Sequence, residues 1–204
     1  MRNLLLAGIA ALEVVAAATC SLAGEGAGHW RVVTEVSPID DSRNVYLSVA
    51  SDAEIADRFG RPVRPALHLA CRENVTSLWL NFGGLFMADI QGFGDVTVRV
   101  DAERARRISM RASTDHEALG LWTGGQAVPF IQGLFGRENL FVRAVPFSSG
   151  AVDLTFAIGG LAEAVKPLAT ACHWGAHGSP RPRPKSELEK QVDELLVRPS
   201  GQKP

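Results

Sequence analysis

Between Ala66 and Phe82 the chain reads ALHLACRENVTSLWLNF, and its apolar residues fall at every second place. Leu67, Leu69 and Cys71 alternate with His68, Ala70 and Arg72, and Leu78 and Leu80 alternate with Trp79 and Asn81. A period of two places one row of side chains on a buried sheet face. The polar corner Arg72-Glu73-Asn74 between the two runs predicts a hairpin, taken as the centre of the fold. The same alternation predicts strands over 29–36, 44–51, 95–101, 105–112, 139–145 and 151–158, the pair over 95–112 forming a second hairpin. Two stretches change period. Val128, Ile131, Leu134 and Phe135 recur at helical spacing within Gly124–Gly136, and Leu161, Val165, Leu168 and Ala169 do so within Gly160–Ala171, where Pro167 predicts a kink. The reading is mainly β (α+β): an antiparallel sandwich or partly open barrel of about eight to ten strands with two short helices.

The segments between are read as connections. Ser37–Ser42 carries turn residues, and its adjacent Asp40 and Asp41 lack the further oxygen ligands of a metal loop. Ala53–Pro65 is a polar crossing whose prolines exclude a central strand. Gly83-Gly84 has no following Lys-Ser/Thr, so it reads as a bend and not a phosphate loop.

The ends differ from the body. Residues 1–23 combine Arg2, an apolar run and small residues before a cleavage point at Ala18 or Ala23, the layout of a signal peptide. Glu13 departs from it, at a cost of about 2.5–3.5 kcal/mol on insertion scales. Ala17, Ala18 and Thr19 before Cys20 are a poor lipoprotein signal. The folded domain is read as 29–174, followed by a Pro-rich linker over 175–185. A C-terminal amphipathic helix is read over 186–198, where Ser186 to Glu189 forms a capping box and Leu188, Val192, Leu195 and Leu196 form a stripe. Such a segment has three fates: docking back on the domain, fraying in solvent or meeting a partner. The expected location is the periplasm or beyond, with no membrane span once the leader is removed.

Composition narrows the function. Lys and Arg total 21 against 22 Asp and Glu, so no net field draws nucleic acid. Cleavage after Ala23 removes Cys20 and leaves Cys71 and Cys172, 101 residues further on. Two cysteines in an exported domain are read as a disulfide. The competing reading, a free-thiol nucleophile, lacks a base and a carboxylate patterned around either residue. Ser113-Thr114-Asp115-His116-Glu117 is the one place where nucleophile, base and carboxylate types adjoin. A triad converges from different elements, so a turn capped by Ser113 and Asp115 is the plainer reading. His173 and His177 stand four apart, but Gly175 and Gly178 oppose a helix there and no cysteine or carboxylate completes a metal set. Trp30, Trp79, Trp122 and Trp174 are read mainly as core residues, with a glycan platform on Trp79 or Trp122 as the alternative.

Taken in order, the runs SPIDDSRNVYLSV, RFGRPVRPALHLACRENVTSLWL, DVTVRVD, STDHEALGLW, PFIQGLFGRENLFVRAVPF and TFAIGGLAEAVKPLATACHW closely resemble the type VI secretion-associated VasI/TagO family over about Trp30 to Trp174. The resemblance implies an exported accessory protein whose partners are other envelope or secretion-system proteins, with no enzymatic activity and no cofactor carried over. On that reading Arg72, Glu73 and Asn74, with Ser113, Thr114, Asp115 and His116, form the candidate interaction surface. The rivals are an envelope hydrolase using Ser113, Asp115 and His116, and a glycan-binding module.

Overall fold

The computed structural model describes residues 29–39, 41–147 and 149–175. The leader, most of the linker and the C-terminal amphipathic segment expected from the sequence lie outside the described residues. In chain order the strands begin with β1 (Arg31–Val36), β2 (Arg43–Ala50), the two-residue pair β3 (Ile55–Ala56) and β4 (Pro62–Val63), β5 (Ala66–Arg72) and β6 (Val75–Asn81). They continue with β7 (Asp95–Val100), β8 (Arg106–Ser109), β9 (Arg111–Ala112) and β10 (Ala118–Leu121), then helix α1 (Gly124–Gln132), β11 (Asn139–Ala144) and β12 (Val152–Ala157). The short helices α2 (Leu161–Ala164) and α3 (Lys166–Ala171) follow. One sheet runs β1-β2-β5-β6-β10-β9, a second β12-β11-β7-β8, and every pairing is antiparallel. The inner rows meet in one core in which Leu47, Leu69, Leu80, Leu119, Val98, Val142 and Phe156 are buried. This is the expected sandwich, with no closed barrel.

The central hairpin forms as read. Its register runs from Ala66↔Asn81 to Arg72↔Val75. Glu73 and Asn74 make the two-residue turn with φ of 49° and 62°. Two consecutive positive φ values are what a type I′ turn requires, and they match the right-handed twist of the strands.

Three features depart from the sequence reading. The expected strand over 105–112 is divided at buried Met110: β8 pairs with β7 in one sheet, and β9 pairs with β10 in the other. Met110 N–H donates to the Gly94 carbonyl, and no Cβ fits at Gly94, where it would stand 2.5 Å from the Met110 carbonyl oxygen. The close approach lets this stretch pass from one sheet to the other, as corner strands do. Second, β10 was not expected at all. Third, the helix over 160–171 breaks at Val165, and α3 carries Pro167 near its start, where the missing N–H costs nothing.

The two ends of the domain are tied by the residues after α3. Cys172 forms a disulfide with Cys71, His173 Nδ1 donates to Asn74 Oδ1 at 3.0 Å, and Trp174 Nε1 donates to Thr76 Oγ1 at 2.8 Å. Three consecutive residues thus clasp the central hairpin beside its turn.

Candidate functional site

The Ser113 to Glu117 segment joins β9 to β10. Ser113 N–H bonds the Ala118 carbonyl at 3.0 Å and the Ala118 N–H returns to Ser113 Oγ at 3.0 Å. The Ser113 hydroxyl donates to Asp115 Oδ1, which also accepts the Glu117 N–H at 3.1 Å. These contacts close a capped turn. The hydrogen bond from Ser113, followed by that from the Glu117 amide, holds the Asp115 carboxyl below its usual range, which makes it a weaker base. Thr114 is exposed. His116 has φ 58°. Its Nδ1 donates to the Met87 carbonyl at 3.0 Å, and its own carbonyl accepts the Met87 N–H at 2.7 Å. Ser113 is bonded to a carboxylate and His116 to a backbone carbonyl, so the base-to-nucleophile hydrogen bond of a triad is not formed.

Because the folded Asp115 pKa is depressed, its contribution to stability is present above the unfolded carboxylate pKa and is lost as pH falls through the folded value. The expected outcome for Asp115→Asn is a lower Tm than wild type at pH 7. The gap closes as pH is lowered through the carboxylate range, as thermal unfolding followed by circular dichroism at stepped pH will show.

What His116 does reach is aromatic. Its ring stacks on Phe86 with centroids 4.7 Å apart. Phe86 meets Phe147 edge-on at 6.0 Å, and Phe147 meets Phe93 at 5.2 Å. The Phe147 N–H donates to the Phe86 carbonyl at 2.9 Å. Three loops, after β6, before β10 and after β11, therefore build one patch. Phe86 is 45% and Phe147 41% exposed, and Ile90, whose carbonyl accepts the Phe93 N–H, is 58% exposed. Contiguous exposed aromatics of this kind are what a core does not need and an interface uses. The sequence reading found His116 and missed its phenylalanine neighbours. The available signal is that Phe86, Phe93 and Phe147 all sit beside or near Gly or Pro in the segments between the expected strands.

The other half of the expected surface does not adjoin this one. Ala118 pairs with Asn81 at one end of β6, whereas Asn74 precedes Val75 at the other. The seven residues of β6 separate the two by about 20 Å. Arg72, Glu73 and Asn74 thus lie at one end of the sheet and Ser113 to His116 at the other. Asn74 is also committed structurally, to His173. The Glu73 N–H donates to Asn44 Oδ1 at 3.2 Å, while Arg72 stands 3.8 Å from Glu73 with both side chains exposed.

On the outer sheet face the cross-strand row Ser48–His68–Trp79–Gly120 carries an aromatic ladder. His68 stacks on Trp79 at 5.1 Å, and Trp79 on Trp122 at 5.8 Å. Trp122 folds back over Gly120, where a Cβ would lie 2.7 Å from the indole, and its Nε1 donates to the Arg111 carbonyl at 2.9 Å. Burial lowers the His68 pKa, which favours the neutral ring. Trp79 is half-buried between the His68 and Trp122 rings, which leaves less of it open to a sugar than an exposed indole would offer. Trp30, by contrast, is core, with Nε1 donating to the Ile158 carbonyl.

Fold and site define the class: a disulfide-clasped antiparallel sandwich that displays an aromatic patch on the loops at one end. The chain belongs to the type VI secretion system VasI/EvfG family, whose model matches residues 11–174. A search of curated proteins finds no match. Among solved structures, the invasion associated protein B of Bartonella henselae is similar at 13% identity and a TM-score of 0.43, over 70% of this chain and 93% of that one. No helix among the described residues is long and apolar enough to cross a membrane.

Proposed function

We propose that this protein is a non-enzymatic accessory component of type VI secretion, exported to the cell envelope, that docks a protein of the apparatus through the aromatic patch of Phe86, Phe93, His116 and Phe147. Family membership supports the system, and the Cys71–Cys172 disulfide is consistent with an oxidising compartment. The observation that carries the docking role is the exposure of Phe86 and Phe147 at the meeting of three loops. Aromatic anchors at such positions dominate binding energies.

The test is crosslinking and pull-down of the tagged protein from the envelope of cells that carry a type VI apparatus, with captured proteins identified by mass spectrometry. Wild type is expected to capture a component of the apparatus, and the Phe86→Ala, Phe147→Ala double variant to lose at least about ten-fold of that capture. Both rings are partly exposed, so the variant's Tm stays near wild type. Equal capture by the two proteins removes the patch from the proposal. A hydrolysis of envelope material that is abolished by His116→Ala in a folded protein removes the non-enzymatic reading itself.

A further inference from the structure

A cleft of about 500 Å³ lies at the opposite end of the sheet from the aromatic patch, between the β1–β2 hairpin and α3. Val45, Pro167 and Ala171 line it with apolar surface, and Thr34, Arg43, Asn74 and His173 bring polar groups to it. Strand parity explains the lining: Thr34 pairs with Val45, and Arg43 lies two residues before Val45 on the same inward face. At that end the core has stopped and α3 does not fill the space.

Among the described lining residues Arg43 is the one that always carries a charge, and Thr34, Ser42 and Thr170 add hydroxyls. Arg43 is exposed and makes no ion pair with any described residue. No described residue in the lining is acidic. Asn74 Oδ1 is taken by His173, which leaves the amide Nδ2 as a donor. That orientation is maintained against backbone preference. His173 has φ 51° and closes a Schellman motif, its N–H bonding the Thr170 carbonyl and the Trp174 N–H bonding the Ala169 carbonyl. Glycine is the usual residue at such a position. Here a histidine adopts the left-handed conformation and its ring reaches Asn74.

We propose that this cleft binds the C-terminal carboxylate of a peptide ending in a small apolar residue. Arg43 and the Asn74 amide donate to the carboxylate, and Val45, Pro167 and Ala171 seat the last side chain. Arginine is suited to a planar carboxylate, which its fork can engage through two parallel hydrogen bonds. One arginine beside an apolar floor fits a monoanion with an apolar group on the carbon next to its carboxylate. An acidic side chain brings only a methylene stem, and a phosphate gathers more cationic donors than are present.

The test uses the oxidised, isotopically labelled full chain, titrated with N-acetyl-alanyl-alanine, its C-terminal amide, N-acetyl-aspartate amide and inorganic phosphate while backbone resonances are followed by NMR. The expected result is a saturable shift at Thr34, Arg43, Asn74 and Ala171 with the free acid, and binding weaker by at least about ten-fold for the amide and for the aspartate probe. Arg43→Gln weakens binding of the free acid to the same degree, with an unchanged Tm because Arg43 supports no other described group. The proposal is overturned by equal binding of acid and amide, by tighter binding of aspartate or phosphate at the same residues, by wild-type binding in Arg43→Gln, or by shifts that do not saturate. The aromatic patch lies at the far end of the sheet, so Phe86→Ala leaves these shifts unchanged and the two sites fail or succeed separately.

Discussion

Replacing Cys71 and Cys172 together by alanine lowers the melting temperature by about 10–15 °C, the larger of the two stability effects expected for this chain. The cross-link spans 101 residues, and closing a loop of that length removes chain entropy worth up to about 4.7 kcal/mol from the unfolded state. Both cysteines are buried, Cys71 fully and Cys172 to within 2%. Alanine is therefore the fair replacement, since a serine hydroxyl in the same place adds the cost of an unpaired buried group. The neighbouring bonds, His173 to Asn74 and Trp174 to Thr76, survive in the variant and favour the same docking of α3. The loss is expected as a drop in Tm at nearly unchanged circular dichroism, and wild type treated with reductant should fall to the value of the double variant. A shift of less than about 3 °C in both proteins would mean that the clasp is held by those two hydrogen bonds and by packing, with the sulfurs adding little.

What the sequence disclosed follows from where each strand lies. β5 and β6 have one face in the core and one half-covered, so their residues alternate and the hairpin could be read directly, turn included. β10 is the opposite case. Ala118, Leu119, Gly120 and Leu121 are all buried, on one side by the core and on the other by the Trp122 ring lying over Gly120. Burial on both faces erases the period of two, and four residues are too few to declare a strand by composition. The division of 105–112 at Met110 was equally hidden, since the alternation continues through the residue at which the sheet changes.

The site was half legible for a related reason. A cluster of Ser, Thr, Asp and His stands out in sequence, and the expected capped turn is what those residues form. The phenylalanines that give the turn its surroundings come from loops near residues 86, 93 and 147 and are brought together by the pairing of β6 with β10 and by the packing of the two sheets. Read locally, Glu73 and Asn74 are polar turn residues and show no structural duty. Their duty is long-range: Asn74 faces His173 across 99 residues, a pairing no local pattern announces.

Phe156→Ala is expected to cost about 3–5 kcal/mol, within reach of the disulfide's contribution. Phe156 is fully buried in β12, paired with Leu140, and it is also bridged to Ser51 just past the end of β2. There the two sheets are stitched by the Asp52 N–H to the Thr155 carbonyl at 2.9 Å, and the Ser51 N–H is held by the Pro65 carbonyl at 2.8 Å. Backbone fixed on both sides cannot collapse into the space a phenyl ring leaves, so the cavity term is added to the lost burial. Phe156→Leu, which keeps most of the volume, should cost less than about 2 kcal/mol, and Phe59→Ala, at a ring 67% exposed, less than about 0.5 kcal/mol. Chemical denaturation at fixed pH measures all three. The cavity acts on the folded state and the cross-link acts on the unfolded one, so the cost of Phe156→Ala should be the same in oxidised and reduced protein. A cost that shrinks on reduction would instead show that the clasp and the sheet corner are one cooperative unit, already loosened once the sulfurs part.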